Sequence, residues 1–258
     1  MTYRFALITG ASSGIGAAFA RALPRPTNQL LTGRNEARLA ALGAELAGDG
    51  RQIETVAADL AGDEGRETLV ARASELPIDL LVNNAGLGLF GRIVDNDARR
   101  EREMIEVNVV TPLVLTRALL PGMLERAKTA GRRAGVIIVS STAAFAPLPF
   151  LATYTATKAF DLYLAEGLAS ELKGEPIDVL ALCPGGTRTN FFRRSGFASM
   201  NEIGLHSPAR VAREGLAALG RRSVHVVGAA NRSYAVISRL VPRPFIQAGA
   251  RRLMQRFK

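Results

Sequence analysis

Short, almost uninterrupted apolar runs alternate along this chain with longer stretches in which apolar residues recur every three or four positions. The runs Phe5–Thr9, Gln29–Thr32, Ile53–Ala57, Leu80–Asn83, Val136–Ser140, Val179–Cys183 and Val224–Val227 have the length of strands. They carry few polar residues, the pattern of strands buried on both faces of a parallel sheet. Between them, Ile15–Leu23, Glu36–Leu46, Thr68–Glu75, Glu101–Arg126, Tyr154–Leu172 and Pro208–Leu219 read as helices. The alternation runs from end to end, with no internal repeat and no linker. It predicts a single α/β domain over residues 1–258, a Rossmann-type doubly wound parallel sheet of about seven strands with helices on both faces. In such a sheet the ligand sits at the carboxyl ends of the strands.

Composition narrows the chemistry. With 258 residues, 48% of them hydrophobic, the chain can bury a sizeable core. One cysteine, Cys183, cannot form an internal disulfide. With His206 and His225 as the only histidines, no metal site is expected, and a Ser-His-Asp hydrolase would have to rely on one of those two. The apolar run near the N-terminus is too short for a secretory signal. The uncharged segment Ala134–Thr157 is long enough to suggest a membrane span, but it contains Gly135, Pro147, Pro149 and a series of hydroxyl side chains. It reads better as a buried strand followed by a polar loop, and a cytoplasmic location is the expectation. The net charge of +10 is uneven: −2 up to Thr187 and +12 from Arg188 onward.

The first strand runs directly into Thr9-Gly10-Ala11-Ser12-Ser13-Gly14-Ile15-Gly16 and then a helix. Glycines there let the backbone turn tightly against a pyrophosphate, while the helix N-terminus offers N–H donors and a favourable dipole. The spacing G-x-x-x-G-x-G differs from G-x-G-x-x-G but serves the same end. The second strand ends at Thr32-Gly33-Arg34-Asn35, where an NAD site places an acidic residue for the ribose 2′-hydroxyl. Glycine and arginine there suit a 2′-phosphate, with Glu36 assigned to the first turn of the next helix. NADP(H) is therefore expected over NAD(H).

Tyr154 and Lys158 are four residues apart on a predicted helix and share one face. An ammonium beside a phenol favours phenolate, which predicts a tyrosine pKa below its ordinary value and a group able to exchange a proton with a carbonyl or alcohol oxygen. Ser140 and Ser141 follow the Val136–Val139 run, at the end of the sheet where a ligand belongs.

With these residues in place the sequence resembles a classical short-chain dehydrogenase/reductase to about Gly228. Gly10, Ser12, Ser13, Gly14, Ile15 and Gly16 match the family's cofactor loop, Asp59-Leu60 its adenine-contact position, and Asn83-Asn84-Ala85-Gly86 its turn beside the cofactor. Asn108 falls where the family holds a water of its proton relay. Ser141, thirteen residues before Tyr154, matches the substrate-orienting serine, and Tyr154-x-x-x-Lys158 the catalytic pair. Pro184-Gly185-Gly186-Thr187-Arg188-Thr189 resembles the segment that meets the nicotinamide end. The resemblance implies hydride transfer between nicotinamide and a carbonyl/alcohol pair, with Asn108, Ser141, Tyr154 and Lys158 as the catalytic set. It also implies cofactor contacts from Arg34, Asp59, Leu60, Asn83, Ala85, Gly86, Tyr154, Lys158, Pro184, Gly185, Thr187 and Thr189. Leu23-Pro24-Arg25-Pro26-Thr27-Asn28 departs from the family's usual turn, and Ser13 replaces a residue often basic in NADP-preferring members.

By the same resemblance, residues 190–207 form a lid over the substrate. Its Phe191, Phe192, Phe197, Met200, Ile203 and Leu205, with Leu148 and Phe150 opposite, point to a lipophilic substrate. Residues 232–258 form a basic C-terminal extension in which Ile246, Ala250, Leu253 and Phe257 make a helical stripe. Packing of that stripe on the protein itself or on a partner subunit is favoured over contact with a membrane surface, and no nucleic-acid motif accompanies the charge. A homodimer or homotetramer through the helices near Glu101–Arg126 and Tyr154–Leu172 is implied by the family. An NADP-dependent oxidoreductase leads; an NAD-linked alcohol dehydrogenase and a non-catalytic NADP-binding regulatory protein stay open as alternatives.

Overall fold

A computed structural model of the chain describes residues 2–48, 50–196 and 205–254, the last two without their side chains. Seven strands form one wholly parallel sheet: β1 (Phe5–Ile8), β2 (Asn28–Gly33), β3 (Ile53–Ala57), β4 (Leu80–Asn83), β5 (Ala134–Val139), β6 (Ile177–Cys183) and β7 (Val224–Val226). Their order is β3-β2-β1-β4-β5-β6-β7. The chain winds one way from β1 to β3, then crosses to β4 and winds the other way. The reversal leaves a crevice above the carboxyl ends of β1 and β4, where an open α/β sheet takes its ligand.

The period-two alternation of the strands divides the core between the two faces. Ala6, Ile8, Leu31, Val82, Ile137 and Leu182 face α1 (Gly14–Ala22), α2 (Glu36–Leu46) and α8 (Pro208–Ala218). Phe5, Leu7, Leu30, Leu81, Val136 and Ile138 face α3 (Asp63–Ser74), α5 (Thr111–Ala130) and α6 (Ala152–Glu171). Both sides of every central strand are therefore covered, which is why the runs are apolar without interruption.

Helix boundaries differ from expectation where local chemistry sets them. α3 begins at Asp63 rather than Thr68, because Gly62 is its N-cap and Asp63 and Glu64 sit favourably in its first turn. The helix expected over Glu101–Arg126 is α4 (Ala98–Ile105), a π-helical turn (Glu106–Val110) and α5, continuous over Ala98–Ala130. That rod is long and apolar enough to cross a membrane, yet its Leu115, Leu119 and Met123 are buried in the core. Beyond β7, the extension forms two helices, α9 (Ala229–Leu240) and α10 (Arg243–Met254). Val241 between them is extended, as the residue before Pro242 prefers to be.

Of the lid, Phe191–Arg194 form a single helical turn, α7. Phe197, Met200 and Ile203, and the tail residues Arg256, Phe257 and Lys258, lie outside the described residues.

Candidate active site

The glycine loop between β1 and α1 has the shape its sequence requires. Gly10 and Gly14 hold φ of 66° and 59°, in the left-handed region that favours glycine. A Cβ on Gly16 would stand 2.4 Å from the Gly10 carbonyl oxygen, so that position admits nothing larger. Asn84 and Ala85 donate their backbone N–H groups to Thr9 Oγ1, each at 2.9 Å, and the Asn84 side-chain amide donates to the Thr9 carbonyl at 2.8 Å. The end of β4 thus clamps the end of β1 beneath the loop. Asn84 was not singled out as a functional residue by the sequence pattern. Its neighbour Asn83 turns the other way and donates to Thr116 Oγ1 at 3.0 Å, tying β4 to α5.

At the head of α1, Ser13 makes no side-chain cap, which leaves the N–H groups of the first turn directed at the crevice. A Cβ on Gly33, at the end of β2, would lie 3.1 Å from Ser12 Oγ, so a bare glycine lets β2 approach the loop. Arg34 is exposed beside it, and among the described residues no partner pairs with its guanidinium. Glu36 lies in the first turn of α2, as expected, and Asn35 caps that helix by accepting from the Arg38 N–H at 2.9 Å. Asp59 is exposed, with its carboxylate accepting from the Ala61 N–H at 3.1 Å, while the Leu60 carbonyl is held by Arg66 and Thr111 at 2.9 and 2.8 Å. Thr189 reaches over the same crevice: a Cβ on Gly14 would meet its methyl group at 3.0 Å. Behind it the Pro184 carbonyl accepts from Thr142 N–H at 2.9 Å, and Thr187 Oγ1 donates to the Gly185 carbonyl at 3.0 Å. These groups suit a dinucleotide laid across the crevice, with its phosphates at the uncapped helix.

The reactive groups gather beyond β5. Tyr154 and Lys158 share a face of α6, and Asn108 comes from the π-helical turn. Asn108 accepts from the Leu87 N–H at 2.8 Å and donates to the Leu87 carbonyl at 2.9 Å and to Thr157 Oγ1 at 3.0 Å. The extra residue of a π turn lets this side chain tie α6 to the loop after β4. Gly86 lies between the two polar groups, with a Cβ there 3.5 Å from Asn108 Oδ1 and 3.6 Å from Lys158 Nζ. Ser141 caps the short helix after β5, its hydroxyl accepting from the Ala143 N–H at 3.1 Å, and it stands close enough to Tyr154 to favour the phenolate. Phe191 packs its ring 5.5 Å from that of Tyr154 and sits over Gly88. Phe192 meets Phe191 edge-on at 5.8 Å. Leu148 and Phe150 border a groove along α6, and the Phe150 ring lies 6.0 Å from that of Phe90, whose N–H donates to the Ser195 carbonyl at the end of α7.

One expectation is corrected. Lys158 was expected to bring the tyrosine below its ordinary pKa. Burial instead raises Tyr154, outweighing the downward pull of Lys158 and of the nearby Ser141 hydroxyl, and Asp161 adds to the rise. Asp161, unremarked in the sequence, holds Lys158 Nζ at 2.9 Å, and the ammonium also donates to the Val139 carbonyl at 3.0 Å. Burial works to lower Lys158, but Asp161 and Tyr154 together raise it above the ordinary lysine value.

The family model described as short chain dehydrogenase matches residues 4–197. This chain belongs to that family. It is 34% identical over 241 residues to dehydrogenase/reductase SDR family member 7B of Bos taurus, covering 86% of this chain and 72% of the relative. Among solved structures, a short-chain dehydrogenase from Sphingobium yanoikuyae in complex with NADPH superposes with a TM-score of 0.79 at 30% identity, covering 92% of this chain and 93% of that one. The bulky-bulky ketone specific alcohol dehydrogenase from Comamonas testosteroni gives 0.75 at 27% identity, with 93% of each chain covered. As a short-chain dehydrogenase/reductase, the protein is an oxidoreductase of CH–OH/C=O pairs that uses a nicotinamide dinucleotide.

Proposed function

We propose that this short-chain dehydrogenase/reductase is an NADP-dependent carbonyl reductase for lipophilic substrates, with Tyr154 as the proton donor. The observation that carries this reading is the convergence of Tyr154, Ser141, Lys158 and Asn108 above the ends of β4 and β5, with a phenylalanine against the tyrosine ring.

When bound, the nicotinamide supplies the hydride for the substrate carbon. The chain's own residues do the rest. Ser141 orients the substrate oxygen and stabilises charge developing on it. Tyr154 gives its phenolic proton to that oxygen, and a raised pKa keeps it protonated for that task at neutral pH. Lys158 steadies the tyrosinate left behind and would help hold the ribose of a bound nicotinamide, while Asn108 holds the turn through which a proton returns to the tyrosine. Phe191 and Phe192 exclude water and favour an apolar substrate body.

NADP is supported by Gly33 and Arg34 at the end of β2, where no carboxylate stands to receive a 2′-hydroxyl and an exposed guanidinium can meet a 2′-phosphate. An NAD-linked alcohol dehydrogenase would use the same proton-transfer residues, and a nucleotide-binding regulator would not need them. Assembly as a homodimer or homotetramer is part of the same reading, supported by family resemblance, and a cytoplasmic location is proposed with it from the single cysteine.

The test is turnover over a panel of ketones and aldehydes graded by chain length and ring size, with NADPH and NADH, for wild type and Tyr154→Phe. Reduction with NADPH that falls by about 10²–10⁴-fold in the variant supports the reading. Equal turnover in both proteins removes Tyr154 from the chemistry.

A further inference from the structure

The segment Pro184–Thr189 leaves β6 at the carboxyl end of the sheet, and two residues distant in sequence grip it there. His206, near the end of the predicted lid, pairs with Thr187 as a parallel bridge. Its N–H donates to the Gly186 carbonyl and its carbonyl accepts from the Arg188 N–H, each at 2.9 Å. Asn231, in the first turn of α9, lies against Gly185. A Cβ on that glycine would stand 2.4 Å from Asn231 Nδ2 and 2.7 Å from Oδ1. Gly185 is not among the glycines of positive φ, so close approach of the amide, and not backbone strain, excludes a side chain.

The two gripping side chains also hold each other. Asn231 Nδ2 donates to the Val227 carbonyl at 2.7 Å and to His206 Nε2 at 3.1 Å. A carbonyl can only accept, which fixes the amide with its nitrogen toward both partners. His206 Nδ1 faces Arg210 Nη1 at 3.4 Å. Gly228, with φ of 86°, gives the ring its room: a Cβ there would stand 2.5 Å from His206 Nε2. Val227 in turn donates its N–H to the Cys183 carbonyl at 3.1 Å, just before the segment begins.

We propose that Asn231 and His206 are positioning residues for the nicotinamide half of the cofactor. Two successive glycines, Gly185 and Gly186, leave the segment with more backbone freedom than any other residue pair would. A ring that must present its reacting carbon to a substrate needs a fixed support. The amide and the imidazole supply it, acting through the backbone of Gly185–Thr187 and not by contact with reacting atoms. They also make the C-terminal extension part of the site, because α9 contributes Asn231. This positioning rests on the reading, implied by the resemblance, that the segment meets the nicotinamide. It is independent of the 2′-phosphate preference and of the proton donor.

The experiment compares the full-length wild type with Asn231→Ala, His206→Ala, His206→Gln, Gly185→Ala and Gly185→Ala/Asn231→Ala. Binding of NADPH and NADH is followed by the emission of the reduced nicotinamide. Binding of ADP-ribose and its 2′-phosphate, which lack that ring, is followed by calorimetry. Asn231→Ala and His206→Ala are expected to weaken both dinucleotides about tenfold, the worth of the lost hydrogen bonds, and to leave the fragments unaffected. An equal loss for the fragments would mean that the pair only supports the fold, and overturns the proposal. His206→Gln keeps an acceptor toward Asn231 and is expected to bind like wild type; a loss matching that of His206→Ala counts against the contact. Gly185→Ala sets a methyl group against the amide and weakens binding. Removing the amide frees that space, so the double variant is expected to bind no worse than Asn231→Ala alone. Losses that multiply would show the two positions to act separately, which also overturns the proposal. Emission unchanged when wild type binds NADPH would show that the ring is not held, and the underlying reading fails before any variant is compared.

Discussion

Lys158 Nζ and Asp161 Oδ2 stand 2.9 Å apart one helical turn from each other, with only 6% and 3% of their side chains exposed. The same lysine faces Tyr154, so one buried ammonium serves both a carboxylate and a phenol. Burial raises Asp161 and Lys158 pulls it down, while its second oxygen, Oδ1, has no hydrogen-bond partner among the described residues. Cys183 on β6 borders this cluster, pushed up to about 12 chiefly by burial.

Asp161→Asn removes the negative charge that raises Tyr154. The tyrosine then falls, and the acid limb of alcohol oxidation moves to lower pH, as does the alkaline decline of carbonyl reduction. The variant leaves Lys158 short of its counter-charge, which costs roughly 3 kcal/mol of stability, at the low end for breaking a buried pair because asparagine keeps one acceptor. Both are read from pH–rate profiles and a thermal melt. Limbs that stay in place would mean that the pair supports the fold alone.

The wild-type profile has a definite direction. Reduction needs the phenol and oxidation needs the phenolate. With Tyr154 raised by burial, the phenol dominates across neutral pH. kcat/KM for reduction is therefore expected to be flat through neutrality and for oxidation to climb with pH into the alkaline range. An oxidation optimum near neutral pH would contradict this assignment.

Arg34→Glu places a carboxylate at the end of β2 where a 2′-phosphate would otherwise meet a cation. kcat/KM with NADPH is expected to fall about tenfold or more, the worth of a charge-assisted contact, while that with NADH holds or rises. The ratio of the two, measured with one ketone, reads the effect. An unchanged ratio would place 2′-phosphate recognition elsewhere.

Gly16→Ala sets a methyl group 2.4 Å from the Gly10 carbonyl, a distance that only a backbone shift can relieve. Overpacking of this kind costs about 1–3 kcal/mol and spoils the loop that receives the pyrophosphate. The expected result is a lower melting temperature together with weaker dinucleotide binding, seen by nucleotide fluorescence titration. Normal affinity would mean that the loop tolerates the shift.

Much of the architecture was legible because it is written in local periodicity. Uninterrupted apolar runs such as Leu80–Val82 and Ile137–Val139 could only be strands covered on both faces, and the structure buries them so. Glu36–Leu46 matched its helix residue for residue, since Asn35 and Leu46 mark its ends in the chain itself. The tail was legible in charge but not in shape. Nothing in its helical stripe told whether the body would cover it, and the helices on either side of Pro242 leave most of it in solvent.

What the sequence determined by itself was the α/β class, the glycine loop and the Tyr154/Lys158 face of α6, because each follows from spacing along one segment. What only the tertiary structure decided was the environment of those groups. Asn84 clamps Thr9 across 75 residues of sequence. Asn108 reaches Leu87 and Thr157 from separate elements. Asp161 becomes a partner of Lys158 because the packing of α6 against β5 and β6 shuts both away from water. Burial and long-range partners depend on which faces folding brings together, and they set the tyrosine's proton affinity in a direction that the bare Tyr-x-x-x-Lys spacing does not reveal.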